Sequence, residues 1–240
     1  MAAPSIVPRT IGLLGGMSWV STAHYYERIN AGIADALGGD HCAPLVLWQT
    51  DFARITELQR AGDWQACGEI LSVGAKALVA AGADIIAICA NTMHLVAAQV
   101  AAAAGPARLV SIVDAVSDEC VRRGAVTIGL LGTAYTMESA ELFPAPLAAA
   151  GITVLVPDAD ERAAIQRHTF EELIHDVVTD AARRTFTSAA EAMILRGADL
   201  IVLACTEHGM VLTDGDLSLP VVDSTEVHVR ALIAAALRDS

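Results

Sequence analysis

Short uninterrupted apolar runs alternate along this chain with longer segments whose apolar residues recur every three or four positions. Ile11–Leu14, Leu45–Trp48, Ile85–Ile88 and Leu109–Ile112 are runs of the first kind, as are Thr127–Leu131, Thr153–Val156, Leu200–Leu203 and Val221–Val222. Strands covered on both faces have that unbroken character, whereas a helix with one covered face repeats at 3.6 residues. The helical pattern fits Ser21–Ala36, Trp64–Ala80, Met93–Ala104, Ala115–Arg122, Phe170–Val178, Ser188–Leu195 and Val227–Leu237. Strand followed by helix, many times over, predicts an α/β fold of parallel sheets flanked by helices. The uncharged run 85–107 is long enough for a bilayer, but Cys89-Ala90-Asn91-Thr92-Met93-His94 puts polar groups inside it. It reads as a buried strand leading into a helix.

The pattern also repeats at long range. Thr10-Ile11-Gly12-Leu13-Leu14-Gly15 returns as Thr127-Ile128-Gly129-Leu130-Leu131-Gly132, a shift of 117, and Gly82-Ala83-Asp84 returns as Gly197-Ala198-Asp199, a shift of 115. Each Gly-Ala-Asp precedes an apolar run ending in cysteine, and Cys89 and Cys205 lie 116 apart. Three matches at nearly one offset predict two related α/β domains. We expect the first at 9–113 with 214–240, carrying Cys89, and the second at 114–213, carrying Cys205. Side chains at the carboxyl ends of parallel strands face the binding crevice, and both cysteines hold such positions.

Composition narrows the function. With 54% hydrophobic residues in 240, a large buried core is assured. A net charge of −13 and no local basic patch argue against nucleic-acid or anionic-membrane partners, leaving a small molecule or another protein. An anionic substrate would need a locally positive site. The five cysteines, Cys42, Cys67, Cys89, Cys120 and Cys205, are odd in number and lack a Cys-x-x-Cys pair, which predicts free thiols in a reducing cytoplasm. The start, Met1-Ala2-Ala3-Pro4-Ser5, is unlike a signal peptide.

Each candidate cysteine is followed by small polar residues and a helical pattern. A strand end running into a helix N-terminus offers free N–H groups and partial positive charge, which would lower a thiol pKa and favour a bound carboxylate. Asn91, Thr92 and Thr206 can add hydrogen bonds there. Against this stand two readings: ordinary buried thiols, and a two-Cys, two-His metal set of Cys89, His94, Cys205 and His208. The matched pair favours chemistry over packing, and the spacings copy no familiar zinc module. The histidines then become groups behind the thiols or helix-surface residues.

Gly15-Gly16-Met17-Ser18-Trp19-Val20-Ser21-Thr22, Cys89-Ala90-Asn91-Thr92-Met93-His94, Asp160-Glu161-Arg162 and Cys205-Thr206-Glu207, in that order and over nearly the whole chain, resemble the aspartate/glutamate racemase family. The resemblance implies a racemase without pyridoxal, metal or other cofactor, usually dimeric, with its site in the cleft between two pseudosymmetric domains. It implies that the thiol pair serves as acid and base, so Cys89 and Cys205 are the candidate catalytic residues. Candidate substrate-binding residues are Met17, Gln49, Arg54, Asn91, Thr92, Thr206 and Glu207, with His94 and His208 behind them. Three positions depart from the family: Val20 where glutamate is frequent, His208 where an aliphatic residue is usual, and Ala163-Ala164 where acidic-substrate racemases carry lysine. Arg54 could replace that lysine as counter-ion to a substrate side chain, or be a solvated charge. The expected activity is therefore racemisation of aspartate or glutamate. Its rivals are a racemase of neutral or broad specificity, a related cysteine-dependent isomerase or decarboxylase of small dicarboxylic acids, and a non-catalytic binding protein.

Overall fold

A computed structural model describes residues 7–238; the Met1–Ser5 segment read above lies outside the described residues. The chain forms two compact units, one containing the residues up to Cys89, Leu95–Ser111 and those from His228 onward, the other Ala90–His94 and Ile112–Val227. In the first unit lie strands β1 (Ile11–Gly15), β2 (Leu45–Gln49), β3 (Ile85–Ile88) and β4 (Arg108–Leu109), with helices α1 (Trp19–Leu37), α2 (Phe52–Ala61), α3 (Trp64–Ala80) and α4 (Ala97–Ala104). In the second lie α5 (Ile112–Arg122), β5 (Thr127–Gly132), α6 (Ala134–Glu138), α7 (Pro144–Ala149), β6 (Thr153–Leu155), α8 (Ala159–Glu171), α9 (Asp180–Leu195), β7 (Leu200–Ala204) and β8 (Val221–Asp223). A final helix, α10 (Ser224–Ala236), begins in the second unit and joins the first from His228.

Both sheets are parallel and share one topology, β2-β1-β3-β4 and β6-β5-β7-β8. Ile11 pairs with Ile85 and Leu14 with Ile88 in one, Ile128 with Leu200 and Leu131 with Leu203 in the other. Every residue of β1, β3 and β7 is buried, which is why these strands read as continuous apolar runs. Over the first sheet pack Tyr25, Ile29 and Ile33 of α1, spaced four residues apart, with Val229 and Leu232 of α10. Over the second pack Phe186, Ala189, Ala190 and Met193 of α9. Close approach of α3 requires Gly74, where a Cβ would run into Trp48 and Leu14.

The repeated Gly-Ala-Asp has a physical explanation. Gly82 and Gly197 take φ of 95° and 100°, a conformation that L side chains rarely adopt, and turn the chain out of α3 and α9. Ala83 and Ala198 are buried. Asp84 then accepts from the Thr10 N–H at 2.9 Å, while Asp199 accepts from Val126 and Thr127 at 2.9 and 3.1 Å, so each aspartate satisfies the start of its sheet's first strand.

The structure departs from the sequence reading in several places. Residues 214–227 cluster with the second unit, because β8 pairs with β7. The expected strand at Leu109–Ile112 is two residues long, and Ile112 already begins α5. The helix expected at Phe170–Val178 is instead α8, ending at Glu171, and a short 3-10 turn at Leu173–His175. Its start is fixed by a capping box, in which Asp158 accepts from the Glu161 N–H and Glu161 accepts from the Asp158 N–H. α8 has few apolar residues, so periodicity misses it.

Replacing Gly197 by alanine should destabilise the protein by about 1–3 kcal/mol through backbone strain alone, since nothing lies within 4 Å of a Cβ built there. Urea unfolding measures this, and an unchanged midpoint would remove the positive-φ argument.

Candidate active site

Cys89 immediately follows β3 and is fully buried; its N–H continues the sheet by donating to the Leu14 carbonyl at 3.0 Å. Beyond it the chain turns at once into polar contacts of the second unit. The Asn91 amide donates to Ser224 Oγ at 3.0 Å, and its Oδ1 is buried without a hydrogen-bond partner among the described residues. Thr92 Oγ1 lies 2.9 Å from Thr133 Oγ1 and 3.0 Å from Thr136 Oγ1, forming a buried cluster of three hydroxyls. Thr133, Thr136 and Ser224 were not foreseen. The repeat held the clue: Thr133 caps α6 as Ser18 caps α1, just after the two copies of Gly-Leu-Leu-Gly.

Cys205 follows β7, the counterpart of β3 in the second sheet, and is also buried. Its thiol donates to Glu207 Oε2 at 3.2 Å, and the Thr206 hydroxyl donates to the same oxygen at 2.8 Å. Glu207 is 3% exposed. Its carboxylate therefore engages the thiol and hydroxyl beside it.

The expectation of depressed thiol pKa values is overturned. Burial pushes both thiols well up, and at Cys205 the charge of Glu207 adds to that rise. The elements after the cysteines are 3-10 turns, Thr92–Val96 and His208–Met210, rather than the start of an α-helix, so little dipole opposes the loss of water. At neutral pH this keeps the protons on both sulfurs.

Both histidines have partners other than the thiols. His94 Nδ1 lies 2.9 Å from the Ala90 carbonyl, and Nε2 accepts from the Ile112 N–H at 3.1 Å; the ring ties the cysteine loop to the start of α5. His208 is fully buried, edge-on to Phe186, with Nε2 3.0 Å from Thr169 Oγ1. Since Thr169 gives its own proton to the Ile165 carbonyl, His208 Nε2–H is the donor. Among the described residues, no group of three or more His, Cys, Asp or Glu side chains could hold a metal ion.

Met17 is buried in the loop between β1 and α1, where Gly16 takes φ of 83° and a Cβ would meet the Thr50 backbone. Gln49 ends β2 and lines an open groove with Trp19, Thr22, Tyr26 and Leu47. Arg54, in the first turn of α2, is half exposed and pairs with Glu57 at 2.7 Å. Ala163 is exposed on α8 and Ala164 partly so, and neither offers charge. Arg162 donates to the Pro157 carbonyl and pairs with Glu138, so the Asp160-Glu161-Arg162 motif here holds the start of α8.

A fold of two like-built α/β units, each with a buried cysteine at the end of its third strand, defines a class. The chain belongs to the Asp/Glu/Hydantoin racemase family, matching it over residues 14–232. It is similar to a protein of Yersinia pestis assigned as an Asp/Glu racemase, with 38% identity over 96% of this chain and 100% of that one and a TM-score of 0.87. An aspartate racemase homologue from Pyrococcus horikoshii matches at 33% identity over 96% and 100%, TM-score 0.81. Picrophilus torridus aspartate racemase, 22% identical over 95% and 94%, shares the fold at a TM-score of 0.74. Among the described residues no helix is long and apolar enough to cross a membrane.

Burial drives His94 down to about 4 and His208 to about 3, from an ordinary value of 6.5. The unfolded chain takes up these protons first. Stability contributed by the neutral rings is therefore present above about pH 6.5 and falls as the pH drops towards 4, by a few kcal/mol on the order set by linkage. Urea unfolding at stepped pH should show that fall, and His94→Gln should make it shallower.

Proposed function

We propose that this protein is an amino-acid racemase, acting on aspartate or glutamate, that passes the α-proton between Cys89 and Cys205 without pyridoxal or metal. The observation that carries the reading is the pair of buried thiols at the ends of topologically equivalent strands. Racemisation needs a base on one face of the α-carbon and an acid on the other, with their roles exchanged in reverse. Two thiols supply that. The polar atoms after the cysteines suit an α-amino acid: the unpaired buried Asn91 Oδ1 can accept from its ammonium, and the Thr92 and Thr206 hydroxyls can face its carboxylate. Donors fixed around that carboxylate stabilise the negative charge that builds on it as the proton leaves.

Because both thiols rest protonated, one must ionise once substrate is bound. The substrate ammonium brings a positive charge into a dry site, where attraction to a thiolate is far stronger than in water. Replacing either Cys89 or Cys205 by serine should reduce interconversion of enantiomers by roughly 10²–10⁴-fold, the range of general acid–base catalysis. Chiral chromatography of the product measures this; a near-normal rate in Cys89→Ala would end the two-thiol reading. Activity should survive dialysis against a chelator, and loss restored by zinc would favour metal chemistry instead.

Substrate choice turns on Arg54. An acidic side chain brings a second carboxylate whose burial needs a cation, and the guanidinium fork suits it. Arg54 lies on the helix after β2, and its exposed bond to Glu57 is of a kind that is weak and readily exchanged. Its exposure, with alanines at 163 and 164, equally supports the second reading, a racemase of neutral or broad specificity. Arg54→Leu separates the two: kcat/KM for aspartate and glutamate should fall by about tenfold or more, the worth of one charged hydrogen bond, while alanine, serine and methionine are unaffected. Unchanged aspartate turnover would favour the second reading.

A further inference from the structure

His94 is a buried ring whose two nitrogens each meet a backbone group. Ile112 opens α5, and its N–H is among those that a helix cannot satisfy within itself; His94 Nε2 accepts it at 3.1 Å. A backbone N–H can only donate, so Nε2 carries no proton and the neutral ring holds its proton on Nδ1. That proton goes to the Ala90 carbonyl, 2.9 Å away, which can only accept. A charged ring is shut out, because a second proton on Nε2 would point at the Ile112 N–H, and burial acts in the same direction. His228 has the opposite tautomer for the same kind of reason: Nε2–H donates to the Val110 carbonyl at 2.9 Å, and Nδ1 accepts from the Tyr25 hydroxyl at 2.8 Å. An imidazole thus holds the chain on either side of Ser111, where it leaves the first unit for the second.

The segment that His94 controls is short. In a planar trans peptide the C=O and N–H point in opposite directions, so drawing the Ala90 carbonyl onto Nδ1 turns the Asn91 N–H away from the ring. The backbone N–H of His94 closes the turn on the Asn91 carbonyl at 3.0 Å. Within that turn sit Asn91 and Thr92, whose side chains bond Ser224 and the hydroxyls of Thr133 and Thr136. Those side-chain bonds can adapt by rotation about χ angles, whereas the peptide plane is held wherever the ring puts it. We propose that His94 is a positioning residue whose Nδ1–H tautomer fixes the Ala90–Asn91 peptide plane, and with it the direction of the Asn91 N–H and the placement of the Asn91 and Thr92 side chains. The effect on catalysis rests on the racemase reading, in which those groups face an amino acid; the fixing of the peptide does not.

Two measurements on the full chain test this. The first is ¹⁵N NMR of the histidine rings, assigned through the backbone, at about pH 7. Wild-type His94 should be neutral and protonated at Nδ1, and His228 neutral and protonated at Nε2; a His94 ring that is charged or protonated at Nε2 overturns the proposal, and this result needs no variant to fold. Two substitutions then separate the ring's two bonds. His94→Asn places an amide nitrogen near Nδ1 and keeps the donor to Ala90, while His94→Gln places an amide oxygen near Nε2, keeps the acceptor for Ile112 and loses that donor. The backbone amide resonances of Asn91 and Thr92 should stay near their wild-type positions in the asparagine variant and move in the glutamine variant, and equal displacement in both overturns the proposal. The second measurement is kcat/KM for racemisation beside urea stability. His94→Gln should lose about tenfold or more, mostly through KM, and His94→Asn no more than about threefold, although both are less stable than the wild type. Losses that follow stability rather than the donor at Nδ1 overturn the catalytic role. If the wild type racemises no amino acid while the tautomer and the selective shift are both found, the racemase reading falls and the positioning of the peptide stands.

Discussion

Strands β1, β3 and β7 are covered on both faces, and a strand so covered can satisfy its N–H and C=O groups only within the ladder. Polar side chains are excluded along its length. Where pairing stops, the chain meets free backbone groups and small side chains for the first time, and there each sheet places its cysteine. The location of the two cysteines follows from this single requirement. Elements that shape the ends of the strands, such as Gly16 beneath Gln49 and Thr50 in the first unit and the capping hydroxyls of Ser18 and Thr133, sit at that border in their own units.

The same burial makes the site costly to charge. Thiols so enclosed hold their protons, the two nearby histidines are held neutral, and the whole chain is strongly anionic. A site of this kind does not rest in an activated state. In the reaction proposed above, the arriving molecule would bring the compensating charge, coupling binding to ionisation.

Much of this was legible in the sequence, for identifiable reasons. Strands buried on both faces write themselves as Ile-Ile-Ala-Ile or Leu-Ile-Val-Leu, and the repeat of Gly-Ala-Asp before the third strand of each sheet gave the twofold organisation. Helix α8 was hidden because capping at Asp158 sets it rather than apolar spacing. At the candidate site, the strand-end placement of the cysteines and the polar residues after them were readable. Their protonation was not, since it depends on how fully the third dimension removes water. His208 resisted sequence reading for a related reason: its partner, Thr169, lies 39 positions away.

Gly82-Ala83-Asp84 and Gly197-Ala198-Asp199 are the same in the two halves, while the residues after the cysteines differ. A strand-start clamp has the same task in either copy, so its residues are interchangeable. The two faces of a chiral carbon are not. With Ala90-Asn91-Thr92 after one cysteine and Thr206-Glu207-His208 after the other, the proposed reaction would offer mirror-image molecules chemically different surroundings, and a change on one side need not be matched on the other. On that proposal, substitutions after one cysteine would change one enantiomer's encounter with the protein separately from the other's, while thermodynamics still fixes the final ratio of the two in solution.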